Sequence, residues 1–134
     1  MKISVDISIQ TIRNLLCSAF EGGSNYWYQI DGYQLAPGFS IEDFRENGRM
    51  QPENDYFHWS QLIPTIPGCA VKVSAPDAPE LGQKLLNLET LQKGLDILTE
   101  EYPWYIAIII NETDDAETGD VLLQCALFGD IIFG

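Results

Sequence analysis

Residues 2–23 read KISVDISIQTIRNLLCSAFEGG, and their hydrophobic period changes half-way along. In the first part Ile3, Val5, Ile7 and Ile9 alternate with Ser4, Asp6 and Ser8. A period of two puts one set on each face of a pleated strand, so residues 2–9 predict a half-buried strand. Beyond it Ile12, Leu15, Leu16, Ala19 and Phe20 recur at the spacing of one helical stripe. Gly22-Gly23 then offers the left-handed residue that ends such a helix. Both periods in one short stretch point to an α+β domain.

Working outward, Ser24-Asn25 continues the turn, and the aromatic run Tyr26 to Ile30 predicts a second strand. Asp31-Gly32 signals a tight turn, of which a hairpin into Tyr33-Gln34-Leu35 is one form. Residues 36–67 hold no period, because Pro37, Gly38, Gly48, Pro52, Pro64 and Pro67 interrupt it. They stay rich in aromatic residues, which favours a segment packed on the domain over a polar linker. Within it Ile41 to Asn47 predicts a short helix capped by Ser40. Gly68 to Ser74 reads as a strand through Val71 and Val73, and residues 75–79 as a linker.

Leu88, Leu91, Leu95 and Leu98 repeat at helical spacing behind Asn87, the expected N-cap. Pro103 opens the apolar run Trp104 to Ile110, which favours helix over buried strand. A last helix, capped by Thr118, carries Val121, Leu122, Cys125 and Ala126 on one stripe. The expected architecture is a single α+β domain, 1–134, with a small antiparallel sheet covered by three or four helices.

Composition narrows the function. The 134 residues are 46% hydrophobic, enough for one core. Seven basic residues against twenty acidic ones give a net charge of −13. Such a surface repels phosphate, so general binding to nucleic acid or to an anionic membrane is not expected. The acidity serves solubility, or it imitates nucleic acid towards a basic partner. Met1 to Gln10 lacks a basic, apolar signal sequence, and no apolar run nears the roughly 18 residues of a membrane span. Cys17, Cys69 and Cys125, odd in number and set among apolar neighbours, suit a reducing compartment. A cytoplasmic location is expected, where the sequon Asn111-Glu112-Thr113 has no meaning.

Catalytic parts are scarce. His58 is the only histidine, and no cysteine pair has metal-ligand spacing. The stretch Asn111 to Asp120 fails as a calcium loop: with Gly119 at the sixth position, Ala116 and Cys125 fall where oxygen ligands belong. It reads instead as a solvated turn that caps a helix. No basic neighbour activates a thiol, and no glycine-rich nucleotide loop or nucleophile elbow occurs. The reading is a binding protein that needs no cofactor or metal and is not an enzyme.

Two segments concentrate groups suited to a ligand. One is Tyr26-Trp27-Tyr28, entered through Gly22-Gly23; the other runs from Arg45 and Arg49 to Tyr56-Phe57-His58-Trp59. Aromatic faces stack on bases and a guanidinium forks onto phosphate. If Ile41 to Arg49 is helical, both arginines point the same way. Tyr26, Trp27, Arg45, Arg49, His58 and Trp59 are therefore the candidate ligand-binding residues. The competing account is that these rings fill a small core.

The segments Glu21-Gly22-Gly23-Ser24-Asn25-Tyr26-Trp27-Tyr28 and Asp114-Asp115-Ala116-Glu117-Thr118-Gly119-Asp120, with the following Leu123-Gln124-Cys125-Ala126-Leu127-Phe128-Gly129, resemble a group of small proteins encoded by bacteriophages and prophages. The resemblance implies an accessory phage protein acting inside the bacterial cell, of the kind that counters host defence. It brings no active site with it. Two mechanisms fit that frame. In the first, a pocket at a homo-oligomer interface sequesters a small nucleotide-derived ligand such as an immune signal. In the second, the acidic chain inhibits a basic host defence protein by occupying its nucleic-acid groove.

Overall fold

Ser8 decides where the first described element starts. Its hydroxyl accepts the Thr11 amide at 3.2 Å, and its extended backbone makes it the N-cap of helix α1, Ile9–Ser18. The computed structural model of the protein describes residues 7–53, 56–111 and 115–134. Most of the strand predicted over residues 2–9 therefore lies outside the described residues, as do Glu112 and Thr113 of the sequon. At its far end the strand prediction is corrected: Ile9 is helical and 43% exposed. The alternation ran into a cap, and the cap determines the backbone there.

The remaining elements, in chain order, are β1 (Gln29–Gln34), α2 (Trp59–Leu62), β2 (Ala70–Ser74), β3 (Lys84–Leu86), α3 (Leu88–Glu101), α4 (Pro103–Ile110) and α5 (Ala116–Phe128). The strands form an antiparallel sheet in the order β1-β2-β3. This is the expected α+β architecture, a small antiparallel sheet with helices packed on it. Val71 and Val73 of the central strand are fully buried, which fits a strand with neighbours on both edges.

α1 buries Ile12, Leu15 and Leu16, each such side chain contributing about 1.5–3 kcal/mol relative to exposure. It then widens into a π turn, Ala19–Gly23, closed by the Ser24 amide on the Ala19 carbonyl at 2.8 Å. Neither Gly22 nor Gly23 is left-handed. Gly23 is needed for a different reason: a Cβ there would lie 2.0 Å from the Ala116 carbonyl oxygen. The glycine thus lets the end of this turn press against the start of α5.

Tyr26 and Trp27 lie in a turn ahead of β1 and Tyr28 links it to the strand, so none of the three is part of β1. Asp31-Gly32 also departs from expectation. It forms no hairpin, since β1 runs through it to pair with β2, and the register shifts between Ile30 and Gly32 as a bulge. β3, three residues ahead of a helix cap, had too little pattern to be predicted.

Asn87 caps α3 as expected, exchanging bonds of 2.9 Å with Thr90 in both directions. Pro103 opens α4, and Trp104 to Ile110 is helical as predicted. The cap of α5 is Asp115 and not Thr118: the Asp115 carboxylate accepts the Thr118 amide at 3.1 Å and its hydroxyl at 3.2 Å. Nor does α5 bury a single stripe, because every residue from Thr118 to Leu127 is buried. A helix buried on all sides belongs at the centre of a domain. α5 accordingly touches α1, the π turn, α3 and α4.

Candidate functional site

The six predicted ligand residues fall into three places. Arg45, His58 and Trp59 meet. His58 caps α2, with Nδ1 3.3 Å from the Ser60 amide and 2.8 Å from its hydroxyl oxygen. Because Nδ1 accepts an amide hydrogen, the neutral ring carries its proton on Nε2. Burial lowers the His58 pKa from its ordinary value, and the charge of Glu21 opposes that shift. The imidazole lies against Trp59, with centroids 3.9 Å apart, and the Trp59 indole donates to the Tyr33 hydroxyl. The Arg45 guanidinium stands 5.7 Å from the Trp59 ring centre. It is also bound to Glu42 at 2.8 Å, so its charge is already matched.

Arg49 is elsewhere. The helix predicted over Ile41 to Asn47, which would have had to continue to Arg49 to align the arginines, stops at Phe44 after one 3-10 turn, capped by Ser40 and Asp43. Arg45 is extended, and Asn47 adopts a positive φ of 66°. The two arginines therefore share no helix face. The Gln51 side chain helps to break the helix, since it donates to the carbonyls of Phe44 and Phe57 and accepts the Phe57 amide. Arg49 ties its own loop together, bonding Asp43 at 2.9 Å and the Gly38 carbonyl at 2.6 Å, 5.0 Å from the Phe39 ring centre. An open cleft of about 420 Å³ in this segment is lined by Glu46, Asn47, Gly48, Gln51, Pro52, Glu53 and Tyr56. Its charged lining is acidic and includes neither arginine.

Tyr26 and Trp27 belong to a third place, organised by a residue the sequence reading passed over. Asp120, assigned there to a solvated turn, is 7% exposed. One of its carboxylate oxygens accepts the Ser24 hydroxyl at 2.7 Å and the Trp27 indole N–H at 2.8 Å. The other accepts the Tyr26 hydroxyl at 3.2 Å and the Gln124 amide nitrogen at 3.0 Å. Four donors thus replace the hydration of a buried anion.

Gln124, fully buried, continues the network. Its Oε1 accepts the amides of Ile132 and Phe133, at 2.8 and 2.7 Å, and its Nε2 donates to the Phe133 carbonyl. Gly129, left-handed at φ 80°, turns the chain back so that this can happen. Trp27 is 3% exposed and packs on Phe133, Phe128 and Tyr28, with centroids at 5.2, 5.4 and 6.2 Å. Its ring is core, as the competing account held, whereas Tyr26 is 53% exposed. The two segments that carry the resemblance meet here, through Ser24, Tyr26, Trp27 and Asp120.

Beside this network lies a cleft of about 390 Å³, bounded by Gly23, Tyr26, Tyr105, Glu117, Asp120, Val121, Ile131, Phe133 and Gly134. The Tyr105 hydroxyl donates to Glu117 at 3.1 Å. A signal for the network was present in the sequence: Asp120 and Gln124 stand one helical turn apart in a run otherwise apolar from Val121 to Leu127.

No disulfide joins the cysteines; Cys69 and Cys125 are buried and Cys17 is partly exposed. Among the described residues no three histidine, cysteine or acidic side chains converge as a metal site, and no helix is long and apolar enough to cross a membrane. Comparison with protein-family models, curated proteins and solved structures gave no match for this chain.

Proposed function

We propose that the chain is a non-catalytic binding protein that docks its acidic surface on a basic protein partner. In the phage setting its motifs suggest, that partner is a host defence protein that handles nucleic acid. One observation carries this choice. Both arginines offered as a phosphate site are matched by carboxylates, Arg45 by Glu42 and Arg49 by Asp43. Glu46, Glu53, Glu80, Glu100, Glu101, Asp115 and Glu117 meanwhile stand exposed. A surface of that sign accelerates encounter with a basic groove and competes with a polyanion for it.

Sequestration of a nucleotide-derived ligand keeps one favourable feature, the adjacency of Arg45, His58 and Trp59. It lacks Trp27 as a stacking face and Arg49 as a second cation beside that cluster.

The test is capture of partners from bacterial lysate with wild-type protein and with a variant reversed at Glu46, Glu53, Glu100 and Glu101. Bound nucleic-acid-handling proteins should be released by salt or competing DNA, and lost with the reversed variant. Partners held equally by the reversed variant refute the reading. So does tight cyclic-dinucleotide binding that depends on Arg45.

A further inference from the structure

We propose that the cleft between Tyr26, Tyr105 and Phe133, with Glu117 at its edge, receives an arginine or lysine side chain of a basic protein partner. The inference rests on the acidic docking surface proposed above and names the contact through which it grips. Volume is the first argument: about 390 Å³ is within the range of pockets that hold small groups. The chemistry of the lining is the second. Three aromatic side chains and two carboxylates contribute to it, and among the described residues no lysine or arginine does. Electron-rich rings beside carboxylates attract cations and disfavour phosphate.

Tethering is the third argument. The Tyr26 hydroxyl is held by Asp120 and that of Tyr105 by Glu117, at 3.2 and 3.1 Å, so both rings are positioned before anything binds. Burial and the neighbouring carboxylates raise the pKa of both phenols, which keeps them neutral donors. Glu117 accepts from Tyr105 through Oε1 and has lone pairs to spare for an incoming N–H. The partial positive charge at the start of α5 is offset by Asp115 as its cap and by Glu117 in its first turn.

The surroundings fit the same partner. Trp104, 56% exposed, stands 5.8 Å from the Tyr105 ring centre and 5.6 Å from that of Tyr102, whose hydroxyl bonds Asp130. An aromatic strip edged by Asp115, Glu117 and Asp130 is complementary to a basic surface with apolar stems. A second copy of this chain, at −13, would bring like charge to it.

The experiment is an NMR titration of the full chain with a peptide alternating arginine and glycine, against the same peptide with citrulline. Shifts at Tyr26, Tyr105 and Phe133 are expected with arginine and not with citrulline. Glu117→Gln should weaken the arginine peptide about fivefold or more. Glu46→Gln with Glu53→Gln, which removes charge away from the cleft, should change it by less than about twofold. Tyr105→Leu, with its melting curve checked, should behave like Glu117→Gln, and Tyr26→Phe should still bind. Equal binding of citrulline, or equal loss in the remote double variant, overturns the proposal. A captured partner that depends on Glu100 and Glu101 but is indifferent to Glu117→Gln refutes the cleft and leaves the wider reading standing.

Discussion

Replacing Asp120 tests the interaction that joins the two sequence motifs. In Asp120→Ala, the Ser24 hydroxyl and the Trp27 indole N–H lose their acceptor in a site where Ser24 is 0% and Trp27 3% exposed. Each orphaned buried donor costs about 1–3 kcal/mol. Gln124 keeps its bond to the Phe133 carbonyl, and the exposed Tyr26 turns to water, so neither adds much. Relief from holding a buried anion without a cation offsets part of the loss. The net expectation is a destabilisation of about 2–4 kcal/mol.

Asp120→Asn should cost less. Its oxygen can keep Ser24 and Trp27, but its amide group then faces Gln124 Nε2, which the bonds to Ile132 and Phe133 prevent from flipping. A loss of about 1–2 kcal/mol is expected, because one donor–donor contact replaces one bond. Urea denaturation followed by far-UV circular dichroism would read this as midpoints in the order wild type, Asn, Ala. An alanine variant within about 0.5 kcal/mol of wild type, or one more stable than the asparagine variant, would refute the reasoning.

Two further outcomes follow from the charge environments. His58, being the only histidine, gives one titrating ring signal. Its folded pKa lies below the ordinary 6.5, so the unfolded chain takes up the proton more readily. Its contribution to stability is complete above that ordinary value and is lost as pH falls through it towards the folded pKa. An NMR midpoint at or above the ordinary value would contradict this. The Cys125 thiol is pushed up to about 12, first by burial and then by Asp130 and Glu101. At pH 8 an aromatic disulfide reagent should therefore label Cys17 alone in the folded protein, with Cys69 and Cys125 reacting only in denaturant. Prompt native labelling of more than one thiol would count against the packing described.

Elements whose signals are local were legible in the amino-acid sequence. Leucine spacing and Asn87 specify α3, Pro103 specifies the start of α4, the alternating valines specify β2, and Ser40 marks its short helical turn. Each depends on side chains within a few residues of one another, so the neighbouring sequence carries the whole cause. The charge balance of −13 was equally legible, since a count of residues needs no structure. Tertiary structure decided the rest. Asp31-Gly32 has hairpin chemistry, but pairing with a strand some forty residues on turned it into a bulge within β1. Gly22-Gly23 suggested a left-handed stop, and close contact with Ala116 gave Gly23 another purpose. Arg45 and Arg49 looked coupled on a helix that Gln51 and a positive φ at Asn47 bring to an end. Asp120 looked solvated because three of the four donors that hold it, Ser24, Tyr26 and Trp27, lie more than ninety residues away along the chain. Whether a carboxylate faces water or a ring of donors depends on what folds over it, and a local pattern does not contain that information.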